Sequence, residues 1–119
     1  NQANLYATVA ANLGTILVAL GDFDRALLLQ TEALELFSAR GELGQTARAL
    51  SSLAAIQFRT GNLERALESL RAAQPLYERS GDLLGYASAL RMARWSMPRW
   101  LRSPTWPSDW PRHRARSSG

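Results

Sequence analysis

Shifted by forty residues, this chain falls on itself. Leu13, Ile16 and Gly21 meet Leu53, Ile56 and Gly61, and Arg25-Ala26-Leu27 meets Arg65-Ala66-Leu67. Ala33 and Leu36 meet Ala73 and Leu76. A second shift of the same size sets Gly41, Leu43, Ala47, Ala49 and Leu50 on Gly81, Leu83, Ala87, Ala89 and Leu90. A fixed period of this length restricts the chain to a stack of like units. Each unit is too small to bury its own apolar face and depends on its neighbour to cover it.

Every unit reads as two helices. Leu13, Ile16, Leu17 and Leu20, then Phe23, Ala26, Leu27, Ala33, Leu34 and Phe37, recur at three-and-four spacing, the period of one helix face. Ala and Leu dominate, and both favour helix. The pattern breaks at Gly21-Asp22, Gly41-Glu42, Gly61-Asn62 and Gly81-Asp82. Glycine takes the left-handed conformation just past a helix end, and the Asp or Asn that follows can cap the next helix. The spacing predicts helices over 2–20, 23–40, 43–60, 63–80 and 83–96. Loops of about two residues fold neighbouring helices antiparallel. The expected fold is all-α: hairpins over 2–40 and 43–80 and a final helix over 83–96 form a repeat domain over 1–97. An irregular tail over 98–119 follows.

The small residues have a packing reason. Gly14 and Ala54 are expected where the two helices of a hairpin press together, facing Ala26 and Ala66. Leu13, Leu53, Ile16, Ile56, Leu27, Leu67, Leu70, Phe37 and Tyr77 are expected to fill the remaining layer. Pro75, opposite Glu35 of the first unit, removes one backbone bond and is expected to kink its helix.

Composition divides the chain in two. Residues 1–90 carry seven Arg and nine acids; residues 91–119 carry seven Arg and one acid, Asp109. The net charge of +4 is therefore the sum of −2 and +6. All four Trp (Trp95, Trp100, Trp106 and Trp110) and four of the five Pro also lie after Leu90. The basic character belongs to the tail, so whole-chain charge carries no nucleic-acid inference for the repeats. There is no Cys, which removes disulfides and thiol chemistry, and the one His, His113, cannot make a metal site alone. No phosphate-cradling loop or dinucleotide fingerprint occurs. No catalytic residue, metal or cofactor is expected. No run of about 18 apolar residues is present. The chain opens on Asn1 without a basic-then-apolar leader and reads as a segment of something longer, expected in the cytoplasm.

Asn12-Leu13-Gly14, Gly21-Asp22, Ala26, Ala33-Leu34, Gly41-Glu42 and Ala47 resemble the tetratricopeptide repeat. Ser52-Leu53-Ala54, Gly61-Asn62, Ala66, Ala73, Gly81-Asp82 and Ala87 follow the same pattern more loosely. The forty-residue spacing resembles the long-helix variety of kinesin light chains, spindle-orientation adaptors and bacterial signalling and regulatory proteins. Gln30 stands where that family usually has an aromatic.

The resemblance implies a short right-handed superhelical solenoid whose first helices line a concave face that holds a partner peptide or helix. The implied contact residues are Thr8, Asn12 and Thr15 in the first unit, and Arg48, Ser51, Ser52, Ala55, Phe58 and Arg59 in the second. Ser88 and Arg91 follow in the last helix. Asn12 can both donate to and accept from a partner's backbone. Arg48, Arg59 and Arg91 suit a carboxylate, and Phe58 suits an apolar anchor. The implied role is a protein-interaction scaffold within a larger signalling or transcription-regulatory protein, with self-association through exposed Leu and Ala as a further expectation.

The tail offers a different reading. Trp beside Arg suits stacking on bases or insertion at an anionic membrane surface. Binding of nucleic acid or membrane is therefore the alternative function. Two others compete with it: an unstructured terminus, or a shifted reading frame after about Arg91.

Overall fold

The computed structural model describes residues 2–100. Five helices follow one another: α1 (Gln2–Ala19), α2 (Phe23–Ala39), α3 (Leu43–Arg59), α4 (Leu63–Ser80) and α5 (Leu83–Ser96). No strand occurs among the described residues. α1 and α2 form one antiparallel hairpin, α3 and α4 a second, and α5 packs on the second as a lone first helix. Residues 101–119 lie outside the described part, and with them most of the Trp/Arg-rich tail.

The four turns are built alike. Gly21, Gly41, Gly61 and Gly81 all have φ between 71° and 87°, the left-handed region that a side chain disfavours. At the first turn Gly21 N–H donates to Val18 O at 3.0 Å and Asp22 N–H to Leu17 O at 2.9 Å. The same pair recurs at the other three turns, closing each helix with a Schellman arrangement. The residue after each Gly then begins the next helix. Asp22 and Asp82 cap it with their carboxylates, accepting from Arg25 N and Gly85 N. Glu42 does not cap; its Oε1 accepts from Asn4 Nδ2 at 3.2 Å, which ties the start of α1 to the start of α3.

The core is rich in alanine and repeats with the sequence. Ala7, Ala10, Ala33 and Phe37 form one buried cluster. Ala47, Ala73, Tyr77 and Ala89 form a second, and Ala47, Ala73 and Tyr77 stand forty residues after Ala7, Ala33 and Phe37. A third joins Ala54, Phe58, Ala66 and Leu70 to Ala93 and Met97 of the final segment. α5 therefore stays helical and packed through Ser96, past the point where the repeat pattern fades at Met92.

Three expected core residues are not core. Leu13, Ile16 and Leu27 are exposed, whereas Leu53 and Ile56 are buried as expected. α3 has α2 lying on that face, and among the described residues α1 has no helix before it to do the same. α4 runs across Pro75 from Leu63 to Ser80. Pro75 and Arg71, whose carbonyl loses its partner, are both exposed, so solvent can satisfy the lost bond.

Candidate partner-binding groove

The first helices of the units, α1, α3 and α5, present a trough made of two adjoining cavities, the smaller mainly polar and the larger mainly apolar. One, of about 210 Å³, lies among α1, α2 and α3 and is lined by Asn12, Thr15, Gln30, Gln45, Arg48 and Ser52 with Ala11, Phe37 and Ala49. The other, of about 460 Å³, lies toward α5 and is lined by Thr15, Arg48, Ser51, Ser52, Tyr77, Leu84, Ser88 and Met92, with Gly85 and Ala89. Thr15, Arg48 and Ser52 border both.

Arg48 bridges α3 to the start of α5. Its Nε and Nη2 donate to one oxygen of Asp82, at 3.2 and 3.0 Å. The other Asp82 oxygen accepts from Gly85 N–H at 2.9 Å. The Gly85 amide first, and the Arg48 guanidinium second, hold the Asp82 carboxyl below its ordinary range. A Cβ at Gly85 would meet that carboxylate where it now lies, so a side chain there would require Asp82 to shift.

Behind Arg48, Ser51 Oγ donates to Ala47 O at 3.0 Å and lies 2.9 Å from Tyr77 Oη. With the Ser51 proton committed to Ala47, the Tyr77 hydroxyl is the donor in the second bond. Burial pushes the Tyr77 hydroxyl up in pKa, against the pull of the Arg48 charge. The Tyr77 ring stacks on Tyr86 with centroids 5.6 Å apart.

Asn12, Thr15, Arg48, Ser51, Ser52 and Ser88 thus meet in the trough. The other five expected contact residues do not line it. Ala55 and Phe58 are buried, and Phe58 packs in the core with Leu70 and Met97 rather than offering its ring to a partner. The Arg59 guanidinium lies over the Phe23 ring, 5.6 Å from its centroid. Thr8 is exposed elsewhere on α1, and Arg91 Nη2 donates to Ser88 Oγ at 3.2 Å. Among the polar groups that line or support the trough, Gln30, Gln45, Tyr77 and Asp82 were not expected as contacts. Gln30 carried a signal, since a polar residue had replaced an aromatic at a core position; Asp82 was legible only as a cap.

Residues 7–37 match the family model of the tetratricopeptide repeat. The first hairpin is a tetratricopeptide repeat. No curated protein and no solved structure matches the chain. The second hairpin keeps the same turns and the same buried alanines as this repeat, so the forty-residue period of the sequence is also the period of the structure. Tetratricopeptide repeats are an interaction fold, and the match suggests a protein–protein interaction scaffold. Among the described residues, no helix is long and apolar enough to cross a membrane.

Proposed function

We propose that this scaffold seats a partner peptide or helix along the trough of α1, α3 and α5, as the docking arm of a larger signalling or transcription-regulatory protein. One observation carries the reading: the two cavities share Thr15, Arg48 and Ser52, so one partner segment can engage all three first helices at once. Hydroxyls and amides line most of the polar surface, which suits recognition of a peptide backbone. Arg48 adds a positive charge, partly balanced by Asp82.

Selection of randomised peptides displayed against the full chain tests this. Selected peptides should lose binding to Ser52→Arg and Ser88→Arg, which fill the trough, and keep it for Glu68→Arg on the exposed side of α4. Peptides indifferent to both trough substitutions would overturn the proposal.

A second association is favoured by the surface of α1. Tyr6, Val9, Leu13, Ile16 and Leu20 form an exposed apolar stripe at three-and-four spacing. A second copy of the chain suits that stripe, since both faces would be apolar. Sedimentation velocity should show a dimer that Leu13→Glu with Ile16→Glu dissolves; a monomer at every concentration would refute it.

A further inference from the structure

α5 departs from the other first helices where it borders the trough. Leu84 and Met92 stand forty residues after Gly44 and Ser52, and eighty after Asn4 and Asn12. Two large apolar side chains thus occupy positions that are small or polar in α3 and α1. Leu84 is 84% exposed and Met92 39% exposed, and both line the larger cavity. They share one face of the helix, with Ser88 between them at four-residue spacing. The polar groups around the same cavity are already engaged. Thr15 Oγ1 donates to Ala11 O at 3.1 Å, Ser51 bonds to Ala47 and Tyr77, Arg48 holds Asp82, and Ser88 accepts from Arg91. What this cavity chiefly offers a ligand is therefore its apolar surface.

From this arrangement we infer that the larger cavity is the anchor pocket of the trough and takes an aliphatic side chain of leucine or methionine size from the partner. The inference rests on the trough reading above and names what the trough selects at its α5 end. Taking apolar surface out of water drives such an insertion, and exposed apolar side chains that wall a cavity mark where it occurs. The volume of about 460 Å³ falls within the roughly 300–1,000 Å³ of ligand sites. Methionine in the wall adapts to the shape it meets. Charge points to a separate partner and away from the chain's own end. Arg48 lines the cavity, paired with Asp82, and Arg91 is bonded to its Ser88, which leaves an excess of positive charge. Residues 101–119 carry four Arg and one Asp, so like charge opposes their entry. The occupant is a partner segment with an aliphatic anchor and no basic residue beside it.

The two methionines give the test an internal control: Met92 walls the cavity and Met97 is buried in the core. The full chain, ¹³C-labelled at its methionine methyl groups, is titrated by NMR with N-acetyl-leucinamide and with N-acetyl-asparaginamide, a polar probe of nearly the same shape. N-acetyl-leucinamide should shift the Met92 signal and leave Met97 in place, with a dissociation constant on the order of 10 mM for so small a ligand. N-acetyl-asparaginamide should shift neither. Leu84→Asn copies Asn4 and keeps Met92 as reporter; it should weaken N-acetyl-leucinamide binding about fivefold, as expected for losing part of the apolar wall. An unmoved Met92, equal shifts with both probes, a Met97 that moves as far as Met92, or undiminished binding to Leu84→Asn would each overturn the inference. So would a Met92 shift on dilution of the chain alone, or on addition of a peptide of residues 101–119, since a second copy or the chain's own end would then fill the cavity. The comparison of probes on the unaltered chain stands even if the variant does not fold. If N-acetyl-leucinamide fails while Ser52→Arg still blocks selected peptides, the trough stands and the anchor pocket falls. If the probe binds as expected and Ser52→Arg and Ser88→Arg block nothing, the pocket stands and the trough reading falls.

Discussion

Leu53 and Ile56 in α3 are 6% and 1% exposed; Leu13 and Ile16, their counterparts in α1, are 44% and 55% exposed. The residues are identical and so is the helix position. The difference is what lies against them. α2 covers α3, and among the described residues nothing covers the same side of α1. Burial in a repeat stack is thus set by the junction and not by the residue. The flanking positions differ too: α1 has Tyr6 and Val9 where α3 has the buried Thr46 and Ala49, so the open face is bulkier than the closed one. The hairpin interiors also solve one packing problem in two ways. The first pairs Gly14 with Gln30; the second pairs Ala54 with Leu70. The first has Ala11 beside Phe37, the second a Ser51–Tyr77 hydrogen bond.

The largest test of the comparison is Leu53→Ala against Leu13→Ala. Truncating a buried Leu costs about 2–5 kcal/mol, whereas exposed Leu13 should cost less than about 1 kcal/mol. Urea unfolding of the two variants checks this; equal losses would mean that the α1 face is covered in solution. Next comes a swap of the two interiors. An ideal Cβ on Gly14 lies 3.0 Å from Gln30 Nε2 and 3.1 Å from its Cγ. Gly14→Ala alone should therefore gain little of the roughly 1 kcal/mol that Ala holds over Gly in a helix. Combined with Gln30→Leu, it should recover that gain, a coupling of about 1–2 kcal/mol in a double-mutant cycle. Strict additivity would break the analogy between Gly14–Gln30 and Ala54–Leu70.

Tyr77→Phe makes the second hairpin resemble the first. Losing the bond to Ser51 should cost about 1 kcal/mol at neutral pH. The folded Tyr77 pKa is raised above 10.0, so its contribution is complete below that pH and is lost as pH rises through the folded value. The alkaline limb of the stability profile should flatten in the variant. The smallest effect belongs to Asp82→Asn, which keeps a capping side chain and removes a charge pair at the surface. The folded Asp82 pKa lies below 3.8, so its contribution is present above 3.8 and is lost as pH falls through the lower folded value. Acid titration by circular dichroism should show a gentler decline for the variant below pH 4.

Helix limits were legible to within a residue, because each Gly and the residue after it fix both the end of one helix and the start of the next. The buried alanines were legible for the same reason: their period is the period of the stack. Leu13, Ile16 and Leu27 were misjudged because a periodic face says which side of a helix is apolar and not whether a neighbour reaches it. Phe58 was misjudged because α5 packs down onto α3, bringing Ala93 and Met97 over it. Six of the residues that line the trough could be named in advance; Gln30 was legible only as a polar residue where the family usually has an aromatic.

Helix contacts in the described part run no farther than the next hairpin: α1 meets α2 and touches α3, and α3 meets α4 and α5. With interactions so short in reach, the molecule is mechanically a spring. A pull along the chain is resisted by one interface at a time, so helices should peel from an end at low force. When the load is removed they should reel back in, each on the surface its neighbour still holds.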